Sequence, residues 1–220
     1  MNEEIKRHVE EIERMIRINE LMKEWATYFH SQPQWKKAIF VEDGPFPYYG
    51  QQKPKILFIP RELPGAINTG IGLTRNYIED RLDMINLGIF QSRLLYLAHG
   101  IINREYSKRH WLKTYDSGKG AGKLNRKFSE DPAVIEGAFS YAFINVSKLL
   151  NTEGINIGKM FYTFIKDTVN RAFFLREIEL LNPDIIVSGN LADLGFSPIL
   201  REQSKLIQKN TRMKTVLCGS

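Results

Sequence analysis

The sequence has one cysteine, Cys218, among 220 residues. A lone thiol cannot close an intramolecular disulfide, nor can it supply a cysteine-based zinc or iron–sulfur site. No apolar run approaches the roughly 18 residues that a membrane-spanning helix needs. The first residues, MNEEIKRHVEEIER, are charged and lack the apolar centre of an export signal. Together these absences lead to the expectation of a cytoplasmic protein with no membrane partner. Histidine is also scarce: His8, His30, His99 and His110, with none beyond. No metal ion and no cofactor are expected, and no internal repeat stands out.

What is present is an ordinary globular composition with a basic excess. The chain is 43% hydrophobic and 25% charged, which suits a single α/β domain over residues 1–220 with a sizeable core. Thirty-one Lys and Arg against 25 Asp and Glu leave a formal net charge of +6. That balance favours a polyanionic partner such as nucleic acid.

Residues 3–30 read as one long helix. Ile5, Val9, Ile12 and Ile16 form one apolar track, and Met15, Ile18, Met22, Trp25 and Phe29 a neighbouring one. Packing on the core is the expected use, and a partner-binding coiled coil the alternative. Pro33 closes the helix, and residues 40–50 read as an aromatic, turn-rich loop. Helical spacing returns at 77–103 and 157–181. Between them, residues 104–130 form a basic, glycine-containing stretch that reads as an inserted surface loop. Within it, GKGAGK at 118–123 lacks the preceding strand and the hydroxyl residue of a phosphate loop.

Four short apolar runs read as strands: 55–59, 141–146, 184–190 and 214–218. Strands alternating with helical stretches predict a three-layer α/β/α domain around a central, mainly parallel, four-stranded sheet. In such sheets ligands bind beyond the carboxyl ends of the strands. The first strand, KILFI, runs into Pro60, Arg61, Glu62, Leu63, Pro64 and Gly65. The second ends near Asn145, Ser147 and Lys148, and the third near Ser188, Gly189 and Asn190. A carboxylate beside an amide suits water activation next to recognition of a planar polar group, because an amide offers both a donor and an acceptor.

These motifs, in this order, resemble the uracil-DNA glycosylase superfamily. In that family the first core strand ends in a motif such as G-E-A-P-G, and Pro60-Arg61-Glu62-Leu63-Pro64-Gly65 is similar to it. The family's second strand ends in a base-reading asparagine, matched by Phe143-Ile144-Asn145-Val146. Its third strand follows a helix patterned E-I-x-x-L-x-P-x-x-I-V-x-x-G, which residues 177–189, EIELLNPDIIVSG, resemble with one residue fewer before the glycine. The Asp43-Gly44 turn ahead of the first strand resembles a bacterial branch of the superfamily. The likeness covers roughly residues 40–220.

The resemblance implies hydrolysis of the N-glycosidic bond of a base flipped out of DNA, leaving an abasic site. The base would be uracil or a modified base, in repair or in defence against phage DNA. Glu62 would orient water or stabilise the oxocarbenium-like sugar. Asn145 would read the base edge, with Pro64 and Gly65 shaping the pocket. Phe46, Tyr48 or Tyr49 would stack on the base. Arg61, Ser147, Lys148, Lys119 and Lys123 would contact the DNA backbone. Family members also carry a histidine after the fourth strand, where this chain has Cys218, Gly219 and Ser220. That departure motivates an alternative: a DNA- or nucleobase-binding protein of the same fold with weak or no catalysis. An unrelated α/β enzyme acting on a free nucleotide or small acid is a third reading.

Overall fold

A computed structural model describes residues 2–40, 42–45, 49–59, 94, 97–98, 101–102, 141–149, 166–189 and 214–218. The first helix, α1, spans Glu3–Ser31, 29 residues free of internal proline and glycine. Its burial is one-sided and confined to its second half. Ile18, Leu21, Met22, Trp25 and Phe29 are buried, while Ile5, Val9, Ile12 and Ile16 are each 42–58% exposed. The expectation that both apolar tracks pack is therefore corrected for the first, because α1 joins the core only from Ile18 onward.

After α1 the chain turns through a short 3-10 helix at Pro33–Trp35. Phe29 stacks on Trp35 with centroids 5.1 Å apart, and Trp25 stacks on Phe173 at 5.6 Å. The second contact joins α1 to α2, Thr168–Leu181. The start of α2 is capped by Asp167, whose Oδ1 accepts from the N–H groups of Val169 and Asn170 at 2.8 and 3.1 Å. Tyr28 of α1 donates to the other oxygen of Asp167 at 2.9 Å. Asn182 ends the helix with a left-handed φ of 44° and donates its N–H to the Ile178 carbonyl. Pro183 follows, so the chain leaves α2 directly for the sheet.

The sheet contains β1 (Gly44–Pro45), β2 (Ile56–Ile59), β3 (Ala142–Phe143), β4 (Ile185–Gly189) and β5 (Lys214–Cys218), in the order β1-β3-β2-β4-β5. The strands β3, β2, β4 and β5 pair in parallel, and β1 pairs antiparallel with β3. The α/β class stands; among the described residues the sheet is mixed and five-stranded, with the antiparallel β1 added at the edge of four parallel strands. The extra strand is a Gly-Pro pair with no strand propensity of its own; its pairing with β3 creates it. β2 is buried on both faces, as a central strand must be. Leu57 and Ile59 share a core with Trp25, Phe29, Phe174 and Ile178, so α1 and α2 cover that face.

The entrances of β2 and β4 are tied together. The Lys55 N–H donates to Asp184 Oδ2 at 2.7 Å, and the Lys55 carbonyl accepts from the N–H groups of Asp184 and Ile185. This clamp fixes the register in which Ile59 lies opposite Ser188. Leu94, Leu97, Ala98, Ile101 and Ile102 are helical, within the stretch 77–103 expected to be helix. Among the described residues no helix is long and apolar enough to cross a membrane.

Candidate functional site

Parallel pairing brings the carboxyl ends of β2, β3, β4 and β5 to one edge. By sequence β2 leads to β3 on one side, while β4 leads to β5 on the other. Adjacent strands whose connections depart in opposite directions mark the point where open α/β sheets form a ligand crevice. Here that point lies between the ends of β2 and β4.

Asn145 stands at this edge, two residues past the Phe58↔Phe143 pairing. Strand-like bonding continues one step, since the Ile144 N–H donates to the Phe58 carbonyl at 3.0 Å. The next N–H, that of Asn145, leaves the ladder and donates to Asp43 Oδ2 at 2.6 Å. This is why the expected strand over 141–146 is only two residues long. Asn145 itself is half-buried.

Asp43 reaches this edge because β1 is antiparallel. Its first residue, Gly44, pairs with Phe143 at the carboxyl end of β3. Gly44 adopts a φ of +148°, a conformation that residues with a Cβ rarely take. The resulting bend sets the Asp43 carboxylate inward, where it is 4% exposed.

Two further charged groups meet Asp43 inside the protein. Lys148 Nζ donates to Asp43 Oδ1 and lies 2.9 Å from Glu177 Oε2. All three side chains are without solvent access. Glu177 projects from α2, on the same face as Asn170, Phe174, Ile178 and Leu181. The indole of Trp25 closes the cluster, with Lys148 Nζ 4.9 Å from its ring centroid. The Trp25 N–H donates to Asn170 Oδ1 at 2.8 Å, so the indole is held on its other edge.

The three charges do not balance if both carboxyls are ionised. Burial pushes Glu177 up to about 8; the Lys148 ammonium opposes this and the Asp43 carboxylate adds to it. Burial also raises Asp43, against the pull of Lys148 and of the Asn145 N–H. Lys148 is raised despite its own burial, because both carboxyls favour its charged form. Glu177 Oε2 is ion-paired with Lys148 at 2.9 Å, and among the described residues neither Glu177 oxygen accepts a hydrogen bond of good geometry. With Glu177 pushed up to about 8, the cluster holds an extra proton at neutral pH, and Glu177 is the group that carries it.

This geometry corrects three expectations. Lys148 cannot grip a DNA phosphate: its ammonium is sealed between carboxyl groups that already supply its counter-charge. Ser147 is 2% exposed, and its hydroxyl accepts from the Leu149 N–H at 3.2 Å, fixing the turn rather than facing DNA. Tyr49 is 1% exposed and packs in the core, so it offers no stacking face. Glu62, Arg61, Phe46, Tyr48, Pro64, Gly65, Lys119 and Lys123 lie outside the described residues, as does the loop at 104–130.

Sequence reasoning missed the inward roles of Asp43 and Glu177, whereas Trp25 packs in the core as its apolar track predicts. Glu177 carried a readable signal: a carboxylate in register with Phe174, Ile178 and Leu181 on an apolar helix stripe. No protein-family model, no curated protein and no solved structure matches this chain.

Proposed function

We propose that this chain is a DNA glycosylase that hydrolyses the N-glycosidic bond of a flipped uracil or modified base, in repair or in defence against phage DNA. The proposed arrangement is uracil-DNA glycosylase-like, with helices on both faces of the sheet. The observation that carries the reading is Asn145, half-buried at the carboxyl edge, its backbone held by a buried carboxylate. Such anchoring reduces the ordering cost of recognising a base edge, where an amide would donate to a carbonyl and accept from a ring N–H. Glu62, three residues past Ile59 in sequence, is the proposed carboxylate for water or for the developing sugar cation. The net charge of +6 supports a DNA partner.

The basic excess, 31 Lys and Arg against 25 Asp and Glu, fits one second reading equally, a DNA- or nucleobase-binding protein with weak or no catalysis. The test is release of free base from single- and double-stranded DNA carrying uracil or modified bases. The glycosylase reading requires release that Glu62→Ala abolishes. Salt-sensitive DNA binding without release is the outcome of the second reading.

A further inference from the structure

The buried cluster meets the proposed base-reading residue where Asp43 Oδ2 accepts from the Asn145 N–H. Everything else in the cluster acts on Asp43. Lys148 supplies its counter-charge, Glu177 shares that ammonium at 2.9 Å, and Trp25 lids it. These groups come from four separate parts of the chain: α1, the turn before β1, the segment after β3, and α2. A carboxyl pair sharing one ammonium is an expensive core, and apolar packing of the same volume would stabilise the fold as well or better. Its place beside Asn145 points to a role at the edge.

We propose that Asp43 is a positioning residue for Asn145, and that Lys148 and Glu177 set the charge with which it does so. The role in base recognition rests on the glycosylase reading above; the positioning itself does not. Among the described residues the charged groups acting on Asp43 and Glu177 are each other and Lys148. When Glu177 loses its proton, two carboxylates compete for one ammonium. Lys148 is then drawn toward Glu177, and the hold of Asp43 on the Asn145 N–H changes. The edge of the site is thereby coupled to a proton that solvent does not directly touch.

The experiment follows the Asn145 amide by NMR in the full-length protein, alongside base release. In wild type the amide proton is strongly downfield and slow to exchange, and it shifts across a titration from about pH 6 to about pH 9, bracketing the Glu177 transition near 8. Glu177→Gln keeps the downfield position and removes the shift with pH. Asp43→Asn, in which Glu177 can ionise and balance Lys148, loses the downfield position and exchanges about tenfold faster at Asn145, with Leu57 and Ile186 unchanged. An Asn145 amide identical in wild type and Asp43→Asn overturns the proposal. If Asp43→Asn does not fold, the comparison of wild type with Glu177→Gln decides: a wild-type amide insensitive to pH, or an equal pH shift in Glu177→Gln, overturns it. Where base is released, Asp43→Asn lowers kcat/KM about tenfold at unchanged DNA affinity, and Glu177→Gln displaces the alkaline limb of the pH profile. Absence of base release from every DNA tested ends the glycosylase reading, while the amide still reports whether Asp43 holds Asn145.

Discussion

The Asn145 N–H donates to Asp43 Oδ2 at 2.6 Å, joining a residue at the carboxyl edge of β3 to a carboxylate that precedes an antiparallel strand 102 positions earlier. That bond ends the parallel ladder at Ile144 and begins the edge at which a ligand crevice would form. The expected behaviour of the protein follows from how this bond is supported.

Among the described residues Lys148 is the counter-charge for two buried carboxyls. Lys148→Met should destabilise the fold by about 3–5 kcal/mol at pH 8, the cost of stranding buried charge. At pH 5 the loss should be smaller, because both carboxyls can then take up protons. Urea denaturation at the two pH values measures the difference.

Glu177 gives stability a characteristic dependence on pH. Its folded value of about 8 lies above the ordinary value of 4.5, so between them the folded state binds more protons than the unfolded chain. Stability therefore falls as pH rises through this window and levels off above it; the raised Asp43 acts with the same sign. Glu177→Gln should flatten the fall and be more stable than wild type above about pH 8. Thermal unfolding across the range tests the sign, and a wild-type stability that rises over this window contradicts the protonated assignment.

Gly44→Ala places a Cβ on a backbone with φ +148°. The expected cost is about 1–3 kcal/mol, with movement of Asp43 as the backbone relaxes. Equilibrium unfolding gives the cost, and the Asn145 amide reports the movement.

Trp25→Phe retains a ring over Lys148 but removes the N–H that serves Asn170. The loss should be about 1–3 kcal/mol, since the Asn170 Oδ1 is left buried without this donor. Trp25→Phe combined with Asn170→Leu should recover part of it, as both polar partners are then gone.

Much of the framework was legible in the sequence. β2, β4 and β5 are short β-branched runs bounded by turn residues, and α2 ends where Asn182 and Pro183 require it. Local pattern could not show β1: Gly44 and Pro45 disfavour strand, and pairing with Ala142 and Phe143 makes them one. Nor could it show where Lys148 points. The sequence around it fits a solvated lysine equally well, and its partners Asp43 and Glu177 are distant in the chain. In α1, the two apolar tracks look alike; which one is buried depends on where the helix crosses the sheet. For the site, Asn145 was placed correctly at a strand end, whereas the neighbouring Ser147 and Lys148 turned inward.

The most direct test of the functional account is base release measured on wild type, Asn145→Ala and Glu62→Ala, with duplex and single-stranded DNA carrying uracil and modified bases. The account predicts free base and an alkali-labile abasic site from at least one substrate. It predicts loss of activity in Glu62→Ala and a drop of about 10- to 100-fold in kcat/KM for Asn145→Ala, the worth of one or two hydrogen bonds to the base. Folded wild-type protein that releases no base from any of these DNAs, or an Asn145→Ala variant as active as wild type, contradicts it.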